Sequence, residues 1–546
     1  MGESQMSSPE GGKSLRRDAG IIGLLFASTT SMIGSGWLFG ALHAAKIAGP
    51  LSLWSWIIGA VVIMIIALCF AELAALFPRS GALVHMSHAS HGDGLGRVWG
   101  WMLFLSYVAV PAVEAESIVT YASNLKGLHG LVDNQGVLSV SGFIACAGLI
   151  GILAVLNLLA IRWLLRINTT VTWWKIAIPL LTGIVMVVAG IHQIGPMWQH
   201  AGSSVWSVAS KSYTAQDMFI ALPAAGIVFS YLGFRTAIDL GGESANPGRN
   251  IPLAVIGSVV LSGVVYILLQ YGFLMSVKPQ DVVNGWDHLS FPGVKGPFAG
   301  IAAMLGFTWL ATLLYVDAAI SPAGTGLIYT TAGSRILFAN GEMHAGPHWL
   351  TRLNGQDVPW VSVAIMWAVG VIFLLPFPAW QKMVAYISDI TALTYGLGPI
   401  VLLILRKDQP SLSRPFRLWG ASVIAPLAFI FCNLIILWSG FGTVTPLFLI
   451  VLSIFAIYLI YFYLIARQPS EAFGWGNIWW LGVWFAGMWI ISYLGGKDLG
   501  GIGVLGFWTA VIVTGVWSLI VIELAKRCSL PAEETAKIMM NIEKTM

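Results

Sequence analysis

The sequence predicts an all-α polytopic membrane protein, and three observations carry that prediction. Hydrophobic residues make up 57% of the chain and charged residues only 10%, against about 25% charged in an average soluble domain. The apolar residues gather into long runs, each near the roughly 20 residues that a helix needs to cross the hydrocarbon core. The basic residues fall mostly on one side of the membrane that those runs imply.

A soluble protein of 546 residues would need far more polar surface to stay dispersed. The 25 tryptophans and 61 glycines suit membrane helices, where tryptophan anchors the interfaces and glycine permits close packing. A net charge of +4 gives no argument for a nucleic-acid partner. The cysteines Cys69, Cys146, Cys432 and Cys528 lie far apart without metal-ligand spacing, and they read as small buried hydrophobes. No cofactor and no metal site are expected.

A polar head, residues 1–18, carries Lys13, Arg16 and Arg17. The apolar run after it is longer than a signal-peptide core and lacks a small-x-small cleavage site, so it reads as a retained first helix. The expected spans are 20–45, 51–77, 97–123, 138–160, 168–192, 217–241, 252–277, 298–330, 360–379, 382–405, 420–440, 444–466, 476–494 and 502–525. That is about fourteen transmembrane helices by the length criterion. Of the 28 lysines and arginines, only Lys46, Lys126, Lys211, Lys278, Lys295, Lys382 and Lys497 fall on the outer side when the N-terminus is placed inside. Lys175 and Arg235 lie within spans, and the rest are inside. The positive-inside rule then places both termini in the cytoplasm, with the chain multi-pass in the cell (inner) membrane.

Two spans are interrupted. The first reads Ser31-Met32-Ile33-Gly34-Ser35-Gly36-Trp37 at its middle, and the sixth reads Phe229-Ser230-Tyr231-Leu232-Gly233-Phe234. Glycine weakens a helix at the depth where no water replaces its hydrogen bonds. Matched breaks in two halves of a chain point to inverted repeats around a midplane site, and five helices per repeat place them in helices 1 and 6. Broken helices expose N–H groups suited to a carboxylate and carbonyls suited to an ammonium. A zwitterion satisfies both, so amino acids are the expected ligand class. Packing through small residues is the competing explanation for the glycines.

These residues resemble the amino acid–polyamine–organocation superfamily of permeases from about Ala19 to Arg406. The resemblance rests on IGSG at Ile33–Gly36, GFRTAIDLGGESANPGRNIP at Gly233–Pro252 and SPAGTG at Ser321–Gly326. It implies a five-plus-five inverted-repeat fold working by alternating access, with residues 19–406 as transport core. Residues 407–525 then form four additional helices after the ten of the core, a departure from the twelve-helix pattern most common in the family, and 526–546 form a C-terminal tail. It further implies that amides around Ser35 and Gly36 hold the substrate carboxylate, while carbonyls at Phe229, Ser230 and Leu232 hold its ammonium. Ile33, Gly34, Glu114, Gly233 and Arg235 complete the expected substrate site. The run around Arg235 resembles the aspartate/glutamate–proton symporter branch.

An ionisable residue inside a span defaults to a functional hypothesis. A buried lysine can gain and lose a proton in a working cycle, and the resemblance makes Lys175 the proton-coupling site beside helices 1 and 8. The alternative is a lysine snorkelling to the interface. Asp317, one turn before Ser321, either pairs with Lys175 or balances its charge. Arg235 keeps its charge and needs an anion, supplied by an acidic substrate, Asp239, Glu114 or Glu116. Glu114 and Glu116 point about 200° apart on a helix, so at most one faces the substrate path. Glu114 fits the family pattern better. Glu243 and Arg249 read as a structural or gating cluster, and Asp389 as a weaker gate candidate. His85, His88 and His91 read as a solvated or interfacial helix face rather than a metal site.

The expected function is proton-coupled import of amino acids, leaning to aspartate and glutamate. The alternatives are an amino acid exchanger, or a carrier of other amino acids or polyamines. The implied partners are the amino acid, protons and the lipid bilayer. Neither a metal motif, nor a nucleophile with its base, nor a filter-like loop stands in the sequence to suggest an enzyme or a channel.

Overall fold

The computed structural model describes residues 19–78, 82–133, 136–159, 161–194, 212–282, 284–291, 296–343, 345–376, 379–469 and 473–544. The expected N-terminal tail lies outside them, as do the side chains of Arg162, Arg166 and Glu243. The chain is almost wholly helical. In order the helices are α1 (Ile21–Met32), α2 (Ser35–Ala48), α3 (Ser52–Leu76), α4 (Ala82–His91), α5 (Asp93–Ala122), α6 (Val140–Asn157) and α7 (Ile161–Ile194). Then come α8 (Ala215–Ala224), α9 (Ile227–Ser230), α10 (Thr236–Asp239), α11 (Pro247–Ser276), α12 (Pro297–Met304) and α13 (Thr308–Glu342). The remainder are α14 (Trp360–Phe373), α15 (Trp380–Asp408), α16 (Ala421–Trp438), α17 (Phe441–Ile460), α18 (Trp479–Leu494), α19 (Phe507–Arg527) and α20 (Ala532–Lys544). Among the described residues, β pairing is limited to isolated bridges at Ala19–Ser244 and Val132–Leu138.

Every expected span carries helix, but length and apolarity alone give a smaller count. Ten helices among the described residues pass that test, or eleven if the bent pair Ala215–Ala224 and Ile227–Asp239 is one span. The difference has physical causes. The stretch Ser35–Leu76 runs as one 42-residue apolar unit across the first two expected spans, and Trp360–Phe373 and Trp479–Leu494 are short.

Burial sorts the helices by neighbour. The apolar windows of α5 and α15 are 94% buried, whereas that of the α17 segment is 22% buried. The first pair therefore forms the centre of the bundle, and α17 lies at its periphery with most of its apolar surface uncovered. The additional helices pack onto this centre. Trp484 of α18 stacks at 6.4 Å on Trp99 of α5 and fills the space above Gly396 of α15. At the end of the bundle where α1 begins, the C-terminal segment meets α4: the Leu530 N–H donates to Ser90 O at 3.0 Å.

His91 corrects the expectation of a solvated face. It is 1% exposed, pairs its Nε2 with Ala525 O at 3.1 Å and packs at a tilt against Trp480. Burial pushes its imidazole down to about 4, partly offset by that Ala525 contact. His88 instead lies 2.9 Å from Asp93.

The same end holds a buried ion cluster. Glu72 of α3 is fully buried and accepts from Arg406 Nε at 3.0 Å and NH2 at 2.6 Å. It also lies 3.0 Å from Arg414 and accepts the Leu418 N–H at 2.7 Å. One carboxylate thus ties α3, α15 and the connection to α16. Removing it strands two cations, at a cost of roughly 3 kcal/mol for a broken buried pair that is partly exposed at Arg406. Glu72→Gln is therefore expected to lower the unfolding midpoint in detergent by several degrees, measured by thermal scanning of the purified protein. An unchanged midpoint would show that the cluster adds nothing to stability.

Candidate functional site at the paired helix breaks

The helix formed by α1 and α2 stops at Met32 and restarts at Ser35. Gly34, at φ −115° and ψ −136°, lies outside the helical region. The break in the sixth expected span begins earlier than the sequence suggested. The chain bends by 54° between Ala224 and Ile227, where Gly226 takes a left-handed φ of 76°, and it stays irregular through the 3₁₀ turn Leu232–Arg235.

The two breaks lie against each other because glycine lets their backbones touch. A Cβ on Gly233 would stand 2.5 Å from Met32 N and 2.6 Å from Ser31 C. Below the breaks, Ser28 accepts the Ala237 N–H at 2.9 Å and donates to Phe234 O at 3.2 Å, and Thr236 donates to Ser31 at 2.7 Å.

A broken helix leaves orphan groups, positive at the new N-terminus and negative at the new C-terminus. Each is met by a side chain of matching sign. Glu114 of α5 accepts the Ser35 N–H at 2.8 Å, so the amide expected to hold a substrate carboxylate holds an internal one. The other Glu114 oxygen has no partner and lies in the space that a Cβ on Gly34 would need, 2.5 Å away. At the end of α1, Thr30 O accepts from Lys175 Nζ at 2.7 Å. Lys175 also donates to Ser321 O at 2.8 Å and Thr325 Oγ1 at 2.7 Å, tying α1 to α13. Its three donors are thereby spent.

That count bears on Asp317. Among the described residues no carboxylate lies within ion-pair distance of Lys175. Asp317 accepts instead from Ser321 Oγ at 2.7 Å and Trp174 Nε1 at 2.8 Å. It stands behind the residue whose carbonyl takes the ammonium.

Arg235 is fully buried and does not pair directly with Asp239, Glu114 or Glu116. Its NH1 donates to Ser106 Oγ at 2.9 Å and its NH2 to Ser106 O at 3.0 Å. Its guanidinium lies 3.7 Å from the ring centre of Tyr107, with Tyr329 at 5.1 Å and Tyr395 at 5.9 Å. Nε has no partner. Asp239 is engaged by the Tyr107 hydroxyl.

Other expected residues sit elsewhere. Glu116 is buried on α5 with neither oxygen bonded. Asp389 accepts from Ser439, so it faces α16 rather than the breaks. The Glu243 carboxyl lies outside the described residues.

Sequence reasoning missed the tyrosines. The Tyr266 hydroxyl reaches Met32 O at 2.7 Å and Ser230 O at 3.1 Å, one carbonyl from each break. Tyr395 donates to Leu232 O at 2.9 Å. Of the carbonyls expected to hold an ammonium, Leu232 O is thus occupied by a hydroxyl, while Ser230 O shares the single Tyr266 proton with Met32 O. A tyrosine deep in an apolar span must place its hydroxyl somewhere, but with 14 tyrosines in the chain the signal singles out none.

The profile of the amino acid permease family matches residues 20–467. The chain is 38% identical over 512 residues to the glutamate/serine transporter AimA of Bacillus subtilis, spanning 92% of each. It is 30% identical to the aspartate-proton symporter of the same organism, over 94% of this chain and 97% of that one. Among solved structures, the manganese transporter of Eremococcus coleocola superposes with a TM-score of 0.52 at 16% identity, over 96% of this chain and 98% of that chain. At that identity the likeness concerns the fold alone. With its profile covering most of the chain and with full-length relatives that transport amino acids, this protein belongs to the amino acid permease family, within the amino acid–polyamine–organocation superfamily.

Proposed function

We propose that the protein is a proton-coupled importer of acidic amino acids, residing in the cell membrane with both termini cytoplasmic and residues 19–406 as its transport core. One observation carries this reading. The fully buried cations Lys175 and Arg235 flank the paired breaks, and neither has a carboxylate within ion-pair distance among the described residues. A desolvated charge without a counter-ion is expensive, so each site has reason to await an ionic event.

At Lys175 that event is loss of a proton. The ammonium holds Thr30 O, Ser321 O and Thr325 Oγ1 together. A neutral amine keeps two donors, so either one of these three bonds is released or the Thr325 hydroxyl turns to donate to the amine and gives up Thr30 O, and in both cases the tie between α1 and α13 loosens. At Arg235 the event is arrival of an anion. In this reading the substrate's α-carboxylate takes the amides at Ser35 and Gly36 in place of Glu114. Its ammonium takes the carbonyls at Phe229, Ser230 and Leu232 in place of the tyrosine hydroxyls. Its side-chain carboxylate turns toward the guanidinium. The glutamate/serine transporter and the aspartate-proton symporter among the relatives support that substrate class and, for the second, the proton.

Uptake of labelled aspartate and glutamate into proteoliposomes tests the reading, and an imposed inward proton gradient should drive accumulation. If neither amino acid accumulates, or if accumulation ignores the gradient, acidic symport is wrong. Arg235→Gln removes a buried charged contact worth about 2–5 kcal/mol. Aspartate affinity should fall by about thirtyfold or more, and unchanged affinity in a folded variant would remove Arg235 from the site. Lys175→Met keeps the volume without the charge. Its uptake should run equally with and without the gradient, whereas retained stimulation would place the proton elsewhere.

A further inference from the structure

The first residue of α15 lies across the break between α1 and α2, on the α2 side. The Trp380 indole N–H donates to Ser35 Oγ at 2.9 Å, although the two residues are far apart in sequence. Its ring stacks on His43 at 5.4 Å and packs on Phe39 at 5.0 Å, following α2 for two turns away from the break. Phe229 meets it edge-on at 6.3 Å from the other broken helix. A Cβ on Gly226 would stand 3.0 Å from the indole, so the left-handed bend of the second break also makes room for the ring. Behind it, the Glu116 carboxyl lies beside the Trp380 backbone, without either oxygen reaching hydrogen-bonding geometry.

We infer that Trp380 is the outer gate of the site, and that its indole N–H to Ser35 Oγ is the contact that closes it. The argument is one of position and satisfaction. The ring is only 5% exposed, and it covers both breaks at once from the side toward which α2 runs. Arg235 and its tyrosines fill the opposite side. A buried indole N–H needs an acceptor, and here the acceptor belongs to the residue whose amide starts α2. The closed position therefore depends on the half-helix it covers. Opening this side separates Trp380 from Ser35, leaving both groups to water. The inference rests on the proposed substrate site in one respect: a carboxylate at the Ser35 and Gly36 amides would lie next to this same contact and favour closure over a bound substrate.

The test reads access rather than transport. A single reporter, Ser230→Cys, is placed in a chain whose native cysteines Cys69, Cys146, Cys432 and Cys528, all buried, are replaced by alanine or serine. A membrane-impermeant thiol reagent is applied to the outside of intact cells. Trp380→Ala should raise the labelling rate at least about tenfold, the equivalent of about 1.4 kcal/mol in the open population. Trp380→Phe keeps a ring but loses the N–H, so it should give an intermediate rate and cover the case in which the alanine variant fails to fold. Labelling as slow in folded Trp380→Phe and Trp380→Ala proteins as in the parent overturns the gate. Aspartate separates this from the site reading. If labelling accelerates in the variants while aspartate fails to protect the parent, the gate stands and the acidic substrate falls. If aspartate protects the parent but neither variant labels faster, the reverse holds.

Discussion

A helix interrupted inside a membrane must find partners for the groups it exposes, because hydrocarbon supplies none. Much of this architecture follows from that constraint at two points, Met32–Ser35 and Ala224–Ile227. At the first, Ser35 N–H finds Glu114, Thr30 O finds Lys175 and Met32 O finds Tyr266. At the second, Ser230 O finds Tyr266 and Leu232 O finds Tyr395. The partners come from α5, α7, α11 and α15, so four other helices converge on the breaks. Residue type follows the half-helix dipoles, with the acidic Glu114 at the start of α2 and the basic Lys175 at the end of α1.

The two buried cations solve different problems. Lys175 has three donors on a flexible stem and spends them on three separate groups, which ties α1 to α13. Arg235 is a planar fork lying over Tyr107 with one edge on Ser106. Its charge is met only in part, by ring faces and, one step removed, by Asp239 through the Tyr107 hydroxyl, with no direct counter-ion among the described residues. Desolvation of an arginine is tolerable in such surroundings because guanidinium is weakly hydrated and pairs well with aromatic faces.

The coarse fold was legible because lipid imposes a long apolar run on spanning helices, although ten or eleven helices among the described residues pass that test against the fourteen runs read from the sequence. The break at Gly34 was legible for a similar reason, since two glycines flank Ser35 in the middle of a run. The second break was read only in part, since it begins at Gly226 and runs on through the expected stretch to Arg235. Gly233 is needed for contact with Ser31 and Met32, whereas the bend occurs at Gly226, and a sequence does not show which glycine is used for space and which for a left-handed turn. Partners separated by long stretches of chain, such as Glu114 with Ser35 or Trp380 with Ser35, depend on helix rotation and tilt. Those are set by packing among many similar apolar faces, where periodicity is weak. His91 illustrates the same limit: a three-residue repeat looked like a wet face until α18 and α19 covered it.

The occupied state of the breaks has a consequence for the journey back. A carrier that couples uptake to an ion must return across the membrane without cargo, while an obligatory exchanger must be unable to do so. An empty site with bare amides and carbonyls would resist that return, because every orphan group costs free energy away from water. Here Glu114 and the hydroxyls of Tyr266 and Tyr395 already occupy the backbone groups of the breaks at which the proposed substrate would bind. In the proposed symport, the unloaded protein would thus travel as if loaded with a piece of itself.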